Sequence, residues 1–210
     1  MLATFWLLIA IPLASAVVLF LLGRRADRWG HWLGVTSVGV SFVLGLIYFF
    51  ELGGLADNAR SAEISLFEFI PAGSLQVDFG LLFDPLSALF VLLITGVGFL
   101  IHLYAVGYMA GDPGRRRFFA YFNLFVAAML LLVLGNNYVM LYFGWEGVGL
   151  ASYLLISWFS LKPSAATAGK KAFLMNRVGD AGFVIAIFFM FAQLGKVDYA
   201  GVFNGVGGLS

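Results

Sequence analysis

Six apolar stretches, each about as long as a bilayer core is thick, constrain this 210-residue chain more than any other feature. A helix needs roughly 20 apolar residues to cross a ~30 Å core, because every backbone N–H and C=O must find its partner inside the segment. The stretches run approximately from 2 to 22, 32 to 52, 86 to 108, 118 to 135, 138 to 159 and 173 to 193. The expected fold is therefore an all-α polytopic membrane protein of about six transmembrane helices. Hydrophobic residues make up 62% of the chain and charged residues 11%, far from the balance of a soluble domain. The first stretch offers the small residues Ala14, Ser15 and Ala16 of a cleavable leader. It lacks a basic start, however, and runs directly into Arg24 and Arg25, so it reads as a first transmembrane helix with a basic stop.

The residue inventory excludes several chemistries. Without cysteine this chain has no disulfide, no cysteine-held iron–sulfur cluster and no catalytic thiol. Bis-histidine haem ligation would need both histidines, and His31 falls in a charged loop far from His102. Neither a Walker lysine motif nor a dinucleotide glycine fingerprint is present. A net charge of +1 and basic residues without interleaved aromatics do not suggest a nucleic-acid partner. Any redox or nucleotide chemistry that drives the protein is expected in partner subunits.

Lysine and arginine mark the cytoplasmic loops of membrane proteins. Arg24, Arg25 and Arg28 follow the first stretch, Arg115, Arg116 and Arg117 the third, and Lys162, Lys170 and Lys171 the fifth, so every second loop is basic. The segment between the second and third stretches carries Asp57, Glu63, Glu68, Asp78 and Asp84 against Arg60, which places it and the N-terminus outside. Within it, alternating Ile64, Leu66 and Glu68 lead through Pro71-Ala72-Gly73-Ser74 to alternating Leu75, Val77 and Phe79. This period-two pattern predicts a β-hairpin on the membrane surface, read as a cap on the helix ends rather than a binding site. The chain thus divides into helices one and two (1–52), an extracytoplasmic hairpin segment (53–84), helices three to six (85–193) and a glycine-rich extracytoplasmic tail without a closing element (194–210).

Ionisable groups at bilayer depth are costly unless paired or hydrated, and each is a functional candidate. Glu146 sits about 12 Å along the fifth stretch, near the midplane, at about 1.5 Å rise per residue. Burial favours the neutral form of a carboxyl and a nearby cation the charged form, so a moving partner could load and unload a proton there. A permanently paired carboxyl that fixes helix packing is the alternative. Gly144, Gly147 and Gly149 around it suit close helix approach. Tyr142, Glu146, Gly149 and Tyr153 share a face, so the two hydroxyls either join a water chain or simply pack. On the sixth stretch Arg177 and Asp180, three residues apart, should form an internal ion pair at a similar depth. Its role is either to make burial tolerable or to tune Glu146; the arginine itself does not titrate. His102 could relay protons or be a satisfied buried histidine. Lys170 and Lys171 read as interfacial anchors or part of a proton-access route.

Two runs carry a resemblance: Gly144-Trp145-Glu146-Gly147-Val148-Gly149-Leu150-Ala151-Ser152-Tyr153-Leu154-Leu155-Ile156-Ser157-Trp158, and Lys171-Ala172-Phe173-Leu174-Met175-Asn176-Arg177-Val178-Gly179-Asp180. Together with His102 to Met109, Gly111-Asp112-Pro113 and Arg117-Phe118-Phe119, they resemble the antiporter-like L-chain family of NADH:quinone oxidoreductase, respiratory complex I, the counterpart of mitochondrial subunit 5. The glutamate run alone recurs in related antiporters; joined to Asn176–Asp180 it becomes specific. The resemblance implies a proton-translocating subunit at the distal end of the membrane arm. FMN, iron–sulfur clusters and quinone would lie in partner subunits, and a neighbouring antiporter-like subunit would be among the partners. It implies the inner membrane of a bacterium in preference to a mitochondrion. Glu146 would be the helix-five glutamate that exchanges charge with a helix-seven lysine, Arg177 and Asp180 the helix-six pair, and His102 a helix-three histidine. The sequence stops before that lysine, the second inverted repeat and the lateral helix, so it is expected to be the first part of an antiporter-like inverted-repeat fold. The large subunit of a multisubunit cation/proton antiporter and a non-transporting membrane scaffold are the alternatives.

Overall fold

A computed structural model describes residues 2–56, 59–73 and 75–207. Asp57 of the acidic outer segment and Ser74 of the expected turn lie outside the described residues. Among the described residues, six helices are long and apolar enough to cross a membrane. They are α1 (Leu7–Leu22), flanked by 3₁₀ turns at Leu2–Thr4 and Gly23–Ala26, then α2 (Gly30–Gly53), α3 (Pro85–Tyr108), α4 (Arg115–Leu134), α5 (Tyr138–Ile156) and α6 (Pro163–Leu194). A short α7 (Tyr199–Val206) follows.

Local chemistry explains several boundaries. Asp84 and Ser87 cap α3 reciprocally, with Ser87 N–H donating to Asp84 at 2.8 Å and Asp84 N–H to the Ser87 hydroxyl at 2.7 Å, ahead of Pro85 in the first turn. The Asn137 side chain accepts from Met140 N–H at 2.8 Å and starts α5. Inside α1, Pro12 has no N–H for the Leu8 carbonyl; the fully buried hydroxyl of Ser41 on α2 donates to that carbonyl at 3.3 Å instead.

Three sequence expectations are corrected. The sixth helix begins at Pro163, not near 173, because an alanine-rich run follows a proline that is favourable at the first helical position. Lys170 and Lys171 therefore lie within α6 rather than at its start, and Asp180 lies about 25 Å from the start of the helix instead of about 10 Å. His31, expected in a loop, is buried in the first turn of α2, with its ring 6.1 Å from that of Phe119. Residues 199–206, read as open tail, form α7, capped by Asp198 accepting from Gly201 N–H at 2.7 Å. The Tyr199 and Tyr138 rings meet edge-on at 4.9 Å. Burial, and to a lesser degree Tyr138, pushes the Tyr199 phenol up to about 12, so it packs as a neutral group.

Helix α4 stands at the centre and packs on α1, α2, α3 and α5, whereas α6 leans on α5 alone among the long helices that make substantial contacts. Leu8, Val38, Val91, Val126 and Leu130 form the core where α1 to α4 meet. The crossing of α4 and α5 is close because it is made with glycine. A Cβ on Gly144 would lie 2.5 Å from the Leu132 nitrogen, and one on Gly147 would lie 2.9 Å from Ala128.

Strands β1 (Ala62–Ala72) and β2 (Leu75–Phe83) form the antiparallel hairpin, with Ala72 opposite Leu75 and Gly73 in the left-handed region at φ 60°. It covers one end of the bundle, as a cap should. Asn136 donates to Glu63 at 2.6 Å, Asn137 donates to the Asp78 carbonyl at 3.1 Å, and Val77 is buried against Ile187 and Val197. The basic loops gather at the opposite end. There Arg116 pairs with Asp27 at 2.9 Å and Trp158 donates to Asp112 at 3.0 Å.

Candidate functional site

The α5–α6 contact brings three of the four expected site residues together. Neighbouring positions on α5 reach different levels of α6: Glu146 meets Arg177, and Trp145 meets Asp180. Arg177 donates to one carboxylate oxygen of Glu146, and its same nitrogen lies 3.5 Å from Asp180. The Tyr142 hydroxyl donates to the other Glu146 oxygen at 2.6 Å. Trp145 Nε1 donates to Asp180 at 2.8 Å. Asp180 is almost wholly buried, its side chain 4% exposed against 21% for Glu146 and 42% for Arg177. The guanidinium also lies over the Phe173 ring at 4.7 Å, which shields one of its faces.

Electrostatically the site is a permanent cation held between two carboxylates, Glu146 with two donors and Asp180 with an indole N–H and the more distant edge of the same cation. Both oxygens of Glu146 accept a hydrogen bond, one from Tyr142 and one from Arg177. The pair expected within α6 exists, but the stronger contact of Arg177 runs across to α5. A cavity of about 510 Å³ opens beside the array, between Leu13 of α1, Leu124 and Leu131 of α4, Leu150 of α5 and Phe173 of α6. Glu146 and Arg177 are the ionisable groups on its wall.

His102 lies apart from this array. It is fully buried on α3, its ring stacked on Phe122 at 3.9 Å. Nδ1 is 2.7 Å from the Gly98 carbonyl, and Asn123 Nδ2 is 3.4 Å from Nε2, so a single neutral tautomer satisfies both contacts. Ser37 of α2 donates to Asn123 at 2.6 Å, which makes a polar staple across α2, α3 and α4. Helix α3 packs on α2 and α4, and α4 separates it from α5. Tyr153, the second hydroxyl expected near Glu146, packs instead on Phe173 at 5.4 Å.

Two partners were not singled out from sequence. Trp145 lies inside the glutamate run, and its indole N–H at bilayer depth requires an acceptor. Asn123 was also visible, as an amide in the middle of the fourth apolar stretch.

Long apolar helices that carry a carboxylate–guanidinium–carboxylate array far from their ends define a class: polytopic membrane proteins with ionisable groups held at depth. Comparison with known proteins narrows it. Residues 69–119 match the family described as NADH-ubiquinone oxidoreductase (complex I), chain 5 N-terminus. Residues 135–208 match NADH:quinone oxidoreductase/Mrp antiporter, TM. NADH-quinone oxidoreductase subunit L of Mycobacterium tuberculosis is 59% identical over 201 residues, 96% of this chain and 32% of that protein. NADH-ubiquinone oxidoreductase chain 5 of Rhizopus stolonifer is 39% identical over 198 residues, 94% of this chain and 30% of that one. The structure of the Mrp complex from Dietzia sp. DQ12-45-1b matches with a TM-score of 0.76 and 25% identity, covering 95% of this chain and 20% of that one. By these matches the chain is homologous to the N-terminal portion of the subunit L, or chain 5, proteins of NADH:quinone oxidoreductase. It spans about a third of the length of the curated relatives it matches.

Proposed function

We propose that this chain is part of a proton-translocating, antiporter-like subunit of respiratory complex I in a bacterial inner membrane. Electron transfer from NADH to quinone takes place in partner subunits that hold FMN and iron–sulfur clusters, and drives pumping through the membrane arm. The observation that carries the reading is Arg177 placed between Glu146 and Asp180 across the α5–α6 contact. Arg177 and Tyr142 both donate to Glu146 in this arrangement. When the guanidinium swings fully onto Asp180, Glu146 keeps only the Tyr142 hydroxyl beside an apolar cavity, and it is there that the carboxyl exchanges its proton. The swing is the switch; Asp180, held by Trp145, is its second resting place. Nothing in this chain supplies energy, so the swing is coupled to movements in neighbouring membrane-arm subunits, among them another antiporter-like subunit. In this reading the basic-loop end of the bundle faces the cytoplasm, where lysine and arginine concentrate, and the hairpin and N-terminus lie outside.

The test is Glu146→Gln in the full-length protein within its complex, which keeps size and one acceptor but removes the exchangeable proton. The complex assembles normally on native gels, while proton pumping and coupled NADH:quinone turnover fall at least about tenfold. Assembly with pumping intact would make the carboxyl structural. Likeness to the Mrp complex favours a second reading, a cation/proton antiporter subunit. That reading requires sodium-dependent proton movement without NADH.

A further inference from the structure

The basic end of the bundle holds a cavity that the proton site does not use. It measures about 350 Å³ and is lined by Arg24, Asp27, Pro113, Gly114, Arg116 and Arg117. Three cations face one anion, and their commitments differ. Arg116 forms the floor: its Nε pairs with Asp27 at 2.9 Å and its other arm donates to the Leu19 carbonyl at 2.6 Å, closing the C-terminal end of α1. Arg117 lays its guanidinium over Trp158 at 5.9 Å, a contact that leaves its N–H groups free to donate elsewhere. Arg24 is exposed on the facing wall. Asp112 is already used, accepting Gly114 N–H at 2.6 Å and Trp158 Nε1 at 3.0 Å. Gly114, at the N-cap, has no side chain of its own to accept from the first-turn N–H groups of α4.

The surroundings place this cavity at the height of lipid headgroups. Trp29 and Trp32 are half exposed at the same end of the bundle, as interfacial aromatics are. Below the cavity, α1 turns Val17, Phe20 and Leu21 outward, and Phe20 meets Tyr121 of α4 at 5.6 Å. A cationic cup above an apolar strip matches a molecule with an anionic head and an acyl tail.

We propose that the cup between the ends of α1 and α4 binds the phosphate of an anionic phospholipid, with Arg24 and Arg117 as its donors, Arg116 as the fixed floor, and the acyl chains lying along Val17, Phe20 and Leu21. Arginine suits this role because its planar fork pairs with phosphate oxygens. The bound lipid ties the α1 and α4 ends together at the membrane surface.

The experiment uses the full-length protein, stripped of lipid in detergent, with lipid retention read by native mass spectrometry. Phosphatidylglycerol is expected to bind in preference to phosphatidylcholine, and the Arg24→Gln/Arg117→Gln double variant to weaken phosphatidylglycerol binding about tenfold. The control Arg25→Gln/Arg28→Gln removes two charges from the same loop but outside the cavity, and is expected to leave binding unchanged. Equal weakening by the control would reduce the effect to diffuse surface charge and overturn the proposal. Displacement of the lipid by equimolar inorganic phosphate would make this a free-anion site and overturn the lipid assignment. Unchanged lipid binding with loss of a partner subunit from native gels would assign the cup to a protein contact and overturn it as well.

Discussion

A guanidinium has enough N–H donors to serve two carboxylates at once, and Arg177 serves them unequally: it donates to Glu146 and stands 3.5 Å from Asp180. The indole of Trp145 compensates Asp180 for that distance. Removing this donor while keeping an aromatic ring isolates its contribution. Trp145→Phe in the full-length protein is expected to cost about 1–3 kcal/mol of stability, as for a buried acceptor left unsatisfied, and to lower pumping without abolishing it. Thermal denaturation and pumping assays check this, with the exposed Trp29→Phe expected to change neither. The charged members of the site were legible in the sequence because Glu146, Arg177 and Asp180 interrupt apolar runs where charge is costly. Trp145 was not, because one more aromatic in a membrane segment raises no alarm until its N–H is seen to have a partner.

Among the helices, boundaries and contacts followed different rules. Helix α3 starts at Pro85, close to the hydropathy boundary at 86, because Asp84 and Ser87 cap it reciprocally. Helix α6 starts earlier than expected because Lys170 and Lys171 interrupt the apolar run, whereas the alanine-rich turn before them still favours helix. The glycines of α5 carry a sharper prediction. Gly144→Ala would set a methyl group 2.5 Å from the Leu132 nitrogen, so α4 and α5 must separate, at a cost of about 1–3 kcal/mol. Gly182→Ala on α6 meets nothing within 4 Å and is expected to be neutral or slightly stabilising. Thermal unfolding of the two full-length variants, measured side by side, distinguishes packing glycines from incidental ones.

For the whole molecule, the alternation of long helices gathers the basic loops at one end and the hairpin at the other. These 210 residues carry no cysteine, so single cysteines added to a full-length protein whose remaining cysteines are replaced test which end faces the cytoplasm. A single cysteine at Gln76 in the hairpin is expected to react with a membrane-impermeant maleimide in intact cells. One at Arg28 is expected to react only after permeabilisation; the reverse pattern would invert the topology. The class, the number of spans, the hairpin and the ionisable residues at depth could all be read from the chain, because hydropathy, period-two alternation and the cost of buried charge are properties of short windows. Which carboxylate Arg177 meets first, what holds Asp180, and the separation of His102 from both could not. Each depends on how helices are rotated and ordered around α4, and therefore on contacts between residues as far apart as Glu146 and Arg177, or Ser37 and Asn123. A helix surface offers many faces of similar hydropathy in lipid, and the choice among them is made by close fits such as Gly144 against Leu132, a matter of shape that no local pattern records.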